Sequence, residues 1–526
     1  MMRPLGPCPL SLLAAALLAA PLAAQPNPTP AVTLDPGFVT GVLGFFLFGD
    51  EIVPIDDLDG DGTPDVLVTA PGYCPTSACE VVGRVYAYSG ATGALLYTID
   101  PSPARTFFAA SLAVGPDLDG DGTPEVLTGG NTLAYVFSGA DGAQLAAFNS
   151  RDPNALFSSV AWVPDVDGDG VGDAALGAPS AFNDTGTGTG AVTLMSGASF
   201  EQIARTALPD AAGEARFGGT VALLGDTDGD GTPELVVSAD DEDSSTAPDG
   251  GRVYTVDLVA GLSEAPVLLA EGTEASGLFG IALAVLDDVD ADGVRDLVVT
   301  GQVQGARAPF VVSGATGAVL YLVQDPVGVP GADLGIGAGL AGTGDLDGDG
   351  VGDFVVGDPV SILPDFRFSG NFFVFSGATG ALLQRVADPD DDGGPFVVNQ
   401  FALNVASVGD LDGDGTDDVA ASSEAEGGLV YVYYSPSVVA SEPGAPSASG
   451  FTLDLSPNPV RDVLRLSVGA HAPGELLVSD ALGRTVYRAD ASGQAEIDVH
   501  AWSPGVYIAR FTTLDATAVR FFTVAR

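Results

Sequence analysis

Asp57-Leu-Asp-Gly-Asp-Gly-Thr-Pro-Asp65 sets the reading of this chain, because its pattern, D-x-D-x-D-G-x-x-[DE], comes back six more times. The later copies start at Asp117, Asp165, Asp226, Asp288, Asp345 and Asp410, at spacings of 60, 48, 61, 62, 57 and 65 residues. A regular period of this size marks a repeat architecture. Each copy also has the same frame. An apolar, small-residue run precedes it, as in Phe217-Gly-Gly-Thr-Val-Ala-Leu-Leu-Gly225, and a run such as Leu235-Val-Val-Ser238 or Phe354-Val-Val-Gly357 follows. Short β-branched runs bounded by Gly, Pro or Asp predict buried strands. Gly83-Arg-Val-Tyr-Ala-Tyr-Ser-Gly90 alternates as a third strand, and an Ala-Thr-Gly turn at 91–93, 315–317 and 378–380 leads into a fourth, such as Ala94-Leu-Leu-Tyr-Thr-Ile99. Four strands in each of seven repeats predict an all-β chain whose main body, residues 31–435, is a seven-bladed β-propeller.

The strand count also predicts how the ring closes. The seventh repeat has its loop at Asp410, a second strand near Val419–Ser422 and a third at Gly428–Tyr434, then runs into Ser435-Pro-Ser-Val-Val-Ala without a fourth. Ala31-Val-Thr-Leu-Asp-Pro-Gly37 is spare material ahead of the first repeat, and is expected to supply the missing strand.

The repeated acids point to a hard cation. The expected ligands are Asp57, Asp59, Asp61 and Asp65; Asp117, Asp119, Asp121 and Glu125; Asp165, Asp167, Asp169 and Asp173; Asp226, Asp228, Asp230 and Glu234; Asp288, Asp290, Asp292 and Asp296; Asp345, Asp347, Asp349 and Asp353; and Asp410, Asp412, Asp414 and Asp418. Alternating carboxylates with a Gly at position 6 put oxygens on one side of a tight turn, a donor set that suits Ca²⁺ better than Mg²⁺ and offers nothing to a thiol- or imidazole-seeking metal. Up to seven Ca²⁺ ions, one per blade, are expected. The loop is not an EF-hand, since position 12 is apolar or Thr and lies in a strand: Val68, Thr128, Leu176, Val237, Val299, Val356 and Ala421. Asp and Gly also make metal-free turns, but an acid at the ninth position in all seven copies argues otherwise. Four like charges a few ångströms apart repel at about 1 kcal/mol per pair even in water.

Gly344-Asp-Leu-Asp-Gly-Asp-Gly-Val-Gly-Asp-Phe-Val-Val-Gly-Asp-Pro359 and its counterpart from Gly225 resemble the FG-GAP repeat of integrin α-chain propellers and their bacterial relatives, over residues 36 to about 435. The resemblance implies Ca²⁺ loops on one face of the propeller and a role in adhesion or ligand binding. Glu125 and Glu234 depart from the ninth Asp, Phe-Gly is lost in several repeats, as in Phe107-Phe-Ala-Ala110, and no inserted domain interrupts the blades.

The ends read differently. Residues 1–24 have the form of a secretory signal peptide, with Arg3, the apolar run Leu10–Ala20 and a small-residue cleavage site at Leu22-Ala23-Ala24. No further stretch of about 20 apolar residues predicts a membrane span. Cys74 and Cys79 are spaced to close a small disulfide loop in an oxidising compartment. After a linker at 436–450, residues 451–526 alternate in six or seven short strands, predicting a small Ig-like β-sandwich. Ser456-Pro-Asn-Pro459, Asp480-Ala-Leu-Gly-Arg484 and Ser503-Pro-Gly-Val-Tyr507 resemble the type A C-terminal sorting domain of the type IX secretion system. That resemblance implies engagement of the secretion machinery through 451–526, and a protein secreted or attached at the cell surface. A carbohydrate-binding or spacer sandwich is the alternative.

Catalysis finds little support. General acid–base and nucleophilic chemistry recruits His, Lys or Cys, and the propeller has no His, no Lys and two Cys expected to be paired. No catalytic residue or organic cofactor is expected. The reading is a calcium-binding adhesion or ligand-binding module with an extracellular protein or glycan partner. The alternatives are a polysaccharide-acting enzyme and a purely structural surface component.

Charge excludes other partners and leaves a remainder. Seventy acidic residues against 18 Arg give a net charge of −52, which repels nucleic acid and anionic lipid. The seven loops use 28 of the 70 carboxylates, and seven divalent cations would bring −52 to −38. An acidic excess of that size suits a saline medium that screens it. The unfolding midpoint is therefore expected to rise with NaCl between about 0.1 and 2 M; a flat profile would remove the saline reading.

Overall fold

The computed structural model describes residues 28–435 apart from 38–46, 74–81, 102–107, 209–214, 259–261, most of 324–334, 363–367, 391–399, 424–427 and a few single or paired positions; beyond 435 it describes mainly the strands between 453 and 524. The expected signal peptide, the Cys74–Cys79 pair and the linker lie outside these residues. Every regular element among those described is a strand.

Seven four-stranded antiparallel sheets follow one another along the chain. Blade 1 is Ile52–Ile55, Asp65–Ala70, Arg84–Tyr88 and Leu95–Ile99, paired in that order, with the Asp57–Asp65 loop joining its first two strands. Blades 2 to 6 repeat this order, starting at Ser111, Ser159, Val221, Leu283 and Leu340. The first strands of all seven blades touch their neighbours in sequence, and that of blade 7 (Val405–Ser407) touches that of blade 1, so the ring is closed around them.

Apolar packing explains why the ring holds. The second strands are continuous runs such as Val66-Leu67-Val68, buried throughout, and successive side chains point to opposite faces. Val66 and Val68 join a core shared with blade 7, while Leu67 joins the core shared with blade 2. Each of the seven blade interfaces has such a cluster, built from both neighbours. The Phe of the Phe-Gly position sits in these interfaces even where the sequence departs from the motif. Phe108, Phe157 and Phe401 are buried, and Ile336 fills the same place in blade 6. Ala109 and Ala402 take up the left-handed conformation that Gly49, Gly218 and Gly280 adopt elsewhere, so the conformation outlasts the glycine.

Blade 7 is completed from the other end of the propeller. Its sheet order is Val405–Ser407, Val419–Ser423 and Leu429–Tyr433, with Val32–Leu34 as the outer fourth strand. Val32 pairs with Val432, Thr33 with Tyr431 and Leu34 with Val430. The 91–93 turn of blade 1 then packs on Val32 as other blades' turns pack on the preceding fourth strand; a Cβ on Gly93 would lie 2.7 Å from Val32 Cγ1.

Further along, Leu453–Ser456, Val463–Val468 and Gln494–Asp498 form one sheet, and Gly474–Asp480, Thr485–Ala491, Gly505–Thr512 and Thr517–Val524 form another. Leu464 and Ile497 of the first share a core with Leu476, Val478, Ala509 and Val524 of the second.

Leu34 is fully buried and Thr33 exposed. Urea unfolding of the full chain should show Leu34→Ala losing about 2–5 kcal/mol, Thr33→Ala less than about 0.5 kcal/mol, and deletion of 31–37 more than either. Equal effects of the two substitutions would contradict closure by this strand.

Candidate metal centres

Strands alternate in direction within a blade, so all seven acidic loops and all the turns between third and fourth strands lie on one face of the ring. The loops between second and third strands lie on the other.

The acidic loop is held by its own carboxylates. Asp57 accepts the N–H of Gly60 (2.7 Å) and Asp61 (3.1 Å) on Oδ1 and that of Gly62 (2.8 Å) on Oδ2. Asp59 accepts from Asp61 N, and Asp61 from Thr63 N. Asp117, Asp165, Asp226, Asp345 and Asp410 repeat the first arrangement, with the position-4 Gly N–H at 2.6–2.7 Å. These N–H groups, led by that of Gly62, hold the Asp57 carboxyl below its ordinary range. The acid is thus kept ionised and oriented before any cation arrives.

The ninth acid does a second job that the motif alone does not reveal. Asp65 Oδ2 accepts Leu58 N within its loop, at 2.7 Å, and Oδ1 accepts Gly90 N, at 3.0 Å, in the turn between the third and fourth strands. Asp173 reaches Gly197, Asp296 reaches Gly314 and Asp353 reaches Gly377 in the same way. In blade 7, where that turn does not exist, Asp418 takes Ser435 N at 2.8 Å. The turn's Ser also leans on the loop: Ser196 Oγ donates to Asp169 at 3.2 Å. The sequence signal was the Ser-Gly that precedes this turn in five of the six blades that have one, at 89–90, 138–139, 196–197, 313–314 and 376–377; blade 4 has Asp257-Leu258 there. Gly is required there by close approach. A Cβ on Gly90 would lie 2.0 Å from Pro64 O, and one on Gly377 2.0 Å from Gly352 O.

Burial makes the ninth acid costly as an anion. Asp65, Asp173, Asp296, Asp353 and Asp418 are at most 1% exposed, and burial pushes the carboxyls of Asp296, Asp353 and Asp418 up to about 6. Carboxylate oxygens of Asp226, Asp228, Asp230 and Glu234 lie within 4.8 Å of one another. So do those of Asp57, Asp59 and Asp61; of Asp117, Asp119 and Glu125; of Asp165, Asp167 and Asp173; and of Asp288, Asp290 and Asp296. Asp65, Asp121, Asp169 and Asp292 stand outside these named groups. Glu125 Oε2 and Glu234 Oε1 are buried without a hydrogen-bond partner. Oxygen-only donors, convergent charge and unpartnered buried carboxylate oxygens fit a hard divalent cation.

Blade 5 differs at position 4, where Ala291 is forced to φ 62° in place of Gly. The side chain is exposed, so Ala291→Gly should relieve backbone strain without loss of packing and stabilise by about 0.5–1 kcal/mol. Gly377→Ala should destabilise by about 1–3 kcal/mol through the clash with the loop carbonyl. Chemical denaturation measures both, and the opposite sign in either would refute the account of that position.

Comparison with known proteins places these loops. Residues 57–128 match an FG-GAP-like repeat, and 157–195 and 217–256 match FG-GAP repeats. Residues 454–525 match a secretion system C-terminal sorting domain. Integrin alpha-3 of Cricetulus griseus is 30% identical over 175 residues, covering 32% of this chain and 16% of its own length. Integrin alpha-V of Gallus gallus is 31% identical over 217 residues, covering 37% and 20%. This chain therefore spans about a fifth or less of the integrin chains it matches. The crystal structure of BBS1N in complex with ARL6DN, soaked with lead, superposes with a TM-score of 0.46 at 12% identity, covering 78% of this chain and 98% of that one. No helix among the described residues is long and apolar enough to cross a membrane. The seven-bladed propeller thus carries FG-GAP repeats and is similar in part to integrin α chains, and the chain's C-terminal sorting domain indicates secretion or attachment to the outer membrane.

Proposed function

We propose that this protein is an extracellular, calcium-loaded binding module, in which the acidic loops take Ca²⁺ and the opposite face of the ring engages a protein or glycan ligand in adhesion. The reading is carried by the repetition, in every blade, of one oxygen-lined loop, which its ninth Asp bonds to the blade's own hairpin in blades 1, 3, 5 and 6 and to the chain leaving the ring in blade 7. Such an arrangement is expensive without a cation, and the integrin α propellers that it resembles bind divalent cations. The role assigned to Ca²⁺ is to fix the loop face, while specificity comes from the face opposite.

Blade 3 offers that opposite face a presented aromatic. Phe182, in the loop between its second and third strands, is 42% exposed. Its backbone is clamped on both sides: its N–H donates to Asp152 Oδ2 at 2.7 Å and its carbonyl accepts from Arg205. An exposed aromatic on a fixed backbone contributes contact area at low entropic cost.

Removal of metal by a chelator should lower the melting temperature, and Ca²⁺ should restore it better than equimolar Mg²⁺. Each site contributes about 2.7 kcal/mol when the free ion exceeds its Kd a hundredfold. An array of glycans and matrix proteins, probed with and without chelator, should give calcium-dependent capture that Phe182→Ala weakens without lowering the melting temperature. Turnover of an arrayed glycan would favour the enzyme instead, and ligand-free assembly into sheets the structural component.

A further inference from the structure

We propose that the seven loops are two kinds of cation site, and that the loops of blades 2 and 4, closed by Glu125 and Glu234, hold a divalent cation more tightly than the five closed by Asp. The inference rests on the calcium reading above and concerns how this chain's own ninth residues divide the work.

In the five Asp loops both oxygens of the ninth carboxylate already accept backbone N–H groups, one from the loop and one from beyond it. Asp65 takes Leu58 and Gly90, Asp173 takes Val166 and Gly197, and Asp296 takes Val289 and Gly314. Asp353 takes Leu346 and Gly377, and Asp418 takes Leu411 and Ser435. Their charge is partly compensated with no cation present. The extra methylene of Glu changes this. Glu125 Oε1 accepts both Leu118 N (2.5 Å) and Asp119 N (2.9 Å), leaving Oε2 buried with no partner. Glu234 Oε2 accepts Thr227 N (2.5 Å), leaving Oε1 in the same condition. Glu125 is fully buried and Glu234 is 4% exposed.

A buried anionic oxygen without a donor carries its full desolvation penalty, and a cation beside it relieves more than it relieves in an Asp loop. Preorganisation runs the other way but is small here, since the loop's N–H groups already fix both Glu carboxylates. Blade 4 adds a second observation. All four acids of its loop, Asp226, Asp228, Asp230 and Glu234, bring an oxygen within 4.8 Å of the others.

The test is calorimetric titration of the full, chelator-stripped chain with Ca²⁺, with bound ions counted by equilibrium dialysis and folding checked by circular dichroism. Two ions per chain are expected to bind at least about tenfold more tightly than the remainder. Glu125→Gln and Glu234→Gln should each delete one tight ion, and the double variant both. Glu125→Asp, which can restore a second N–H contact from Gly139, should keep the total count while moving one ion into the weaker class. A single class of equal sites in the native chain, or a tight class that survives the double Gln variant, overturns the inference while leaving calcium binding intact. No calcium uptake by the folded chain overturns the calcium reading itself.

Discussion

A four-stranded blade has two apolar faces, and only a closed ring covers both of them in every blade. That constraint organises the molecule. Val66 and Leu67 are neighbours in sequence yet belong to different interfaces, one toward blade 7 and one toward blade 2. No blade therefore owns a core; each exists by virtue of its two neighbours. The weak point of such a ring is its seam, and the seam lies within blade 7, where Val32–Leu34 joins a sheet whose other strands come about 400 residues later. Loop closure over that distance is entropically costly, although the cost grows only logarithmically with length. It is offset because Leu34 and Val32 enter the same core as Val66, Val68 and Val430, so the closing strand gains burial that six formed blades have already prepared.

The acidic loops are built into this framework and are not hung on it. Each ninth Asp spans from its loop to the neighbouring hairpin of the same blade, or to Ser435 in blade 7. The hairpin's Gly can also be gripped by the blade before, as when Tyr97 donates to Gly139 O and Tyr321 to Gly377 O at 2.6 Å. In blade 6 the two links meet at one residue. Gly377 gives its N–H to Asp353 and its carbonyl to Tyr321, coupling a candidate metal loop to the fourth strand of blade 5.

Much of this was legible in the sequence because two periodicities coincide. The 59-residue repeat of acids set the blade count, the alternation around them set four strands per blade, and the missing fourth strand after Tyr433 pointed to Ala31–Gly37. What escaped was longer in range or conformational. The Asp65–Gly90 contact joins residues 25 apart, and nothing in either motif names its partner. Phe107-Phe-Ala-Ala110 looked like a lost repeat signature, yet Phe108 is buried and Ala109 sits at φ 62°, because packing from blade 1 fixes a backbone that glycine would only have made easier. Glu125 and Glu234 were visible as departures from the ninth Asp, but nothing in the motif showed that a Glu there forms different hydrogen bonds from an Asp.

The ring's seam also decides which face is free. With its fourth strand taken from the N-terminal end, blade 7 releases the chain after its third strand, which ends on the face of the acidic loops. Ser435 marks the exit, its N–H held by Asp418 in the place that a hairpin glycine occupies in four other blades. Val32–Leu34 runs antiparallel to that third strand, so the chain also enters from the same side. Entry and exit are thereby confined to the face where the charge is concentrated and cations are proposed to sit. The opposite face, with Phe182 held outward on its clamped backbone, carries neither terminus of the ring and is left to the loops whose sequences vary most from blade to blade.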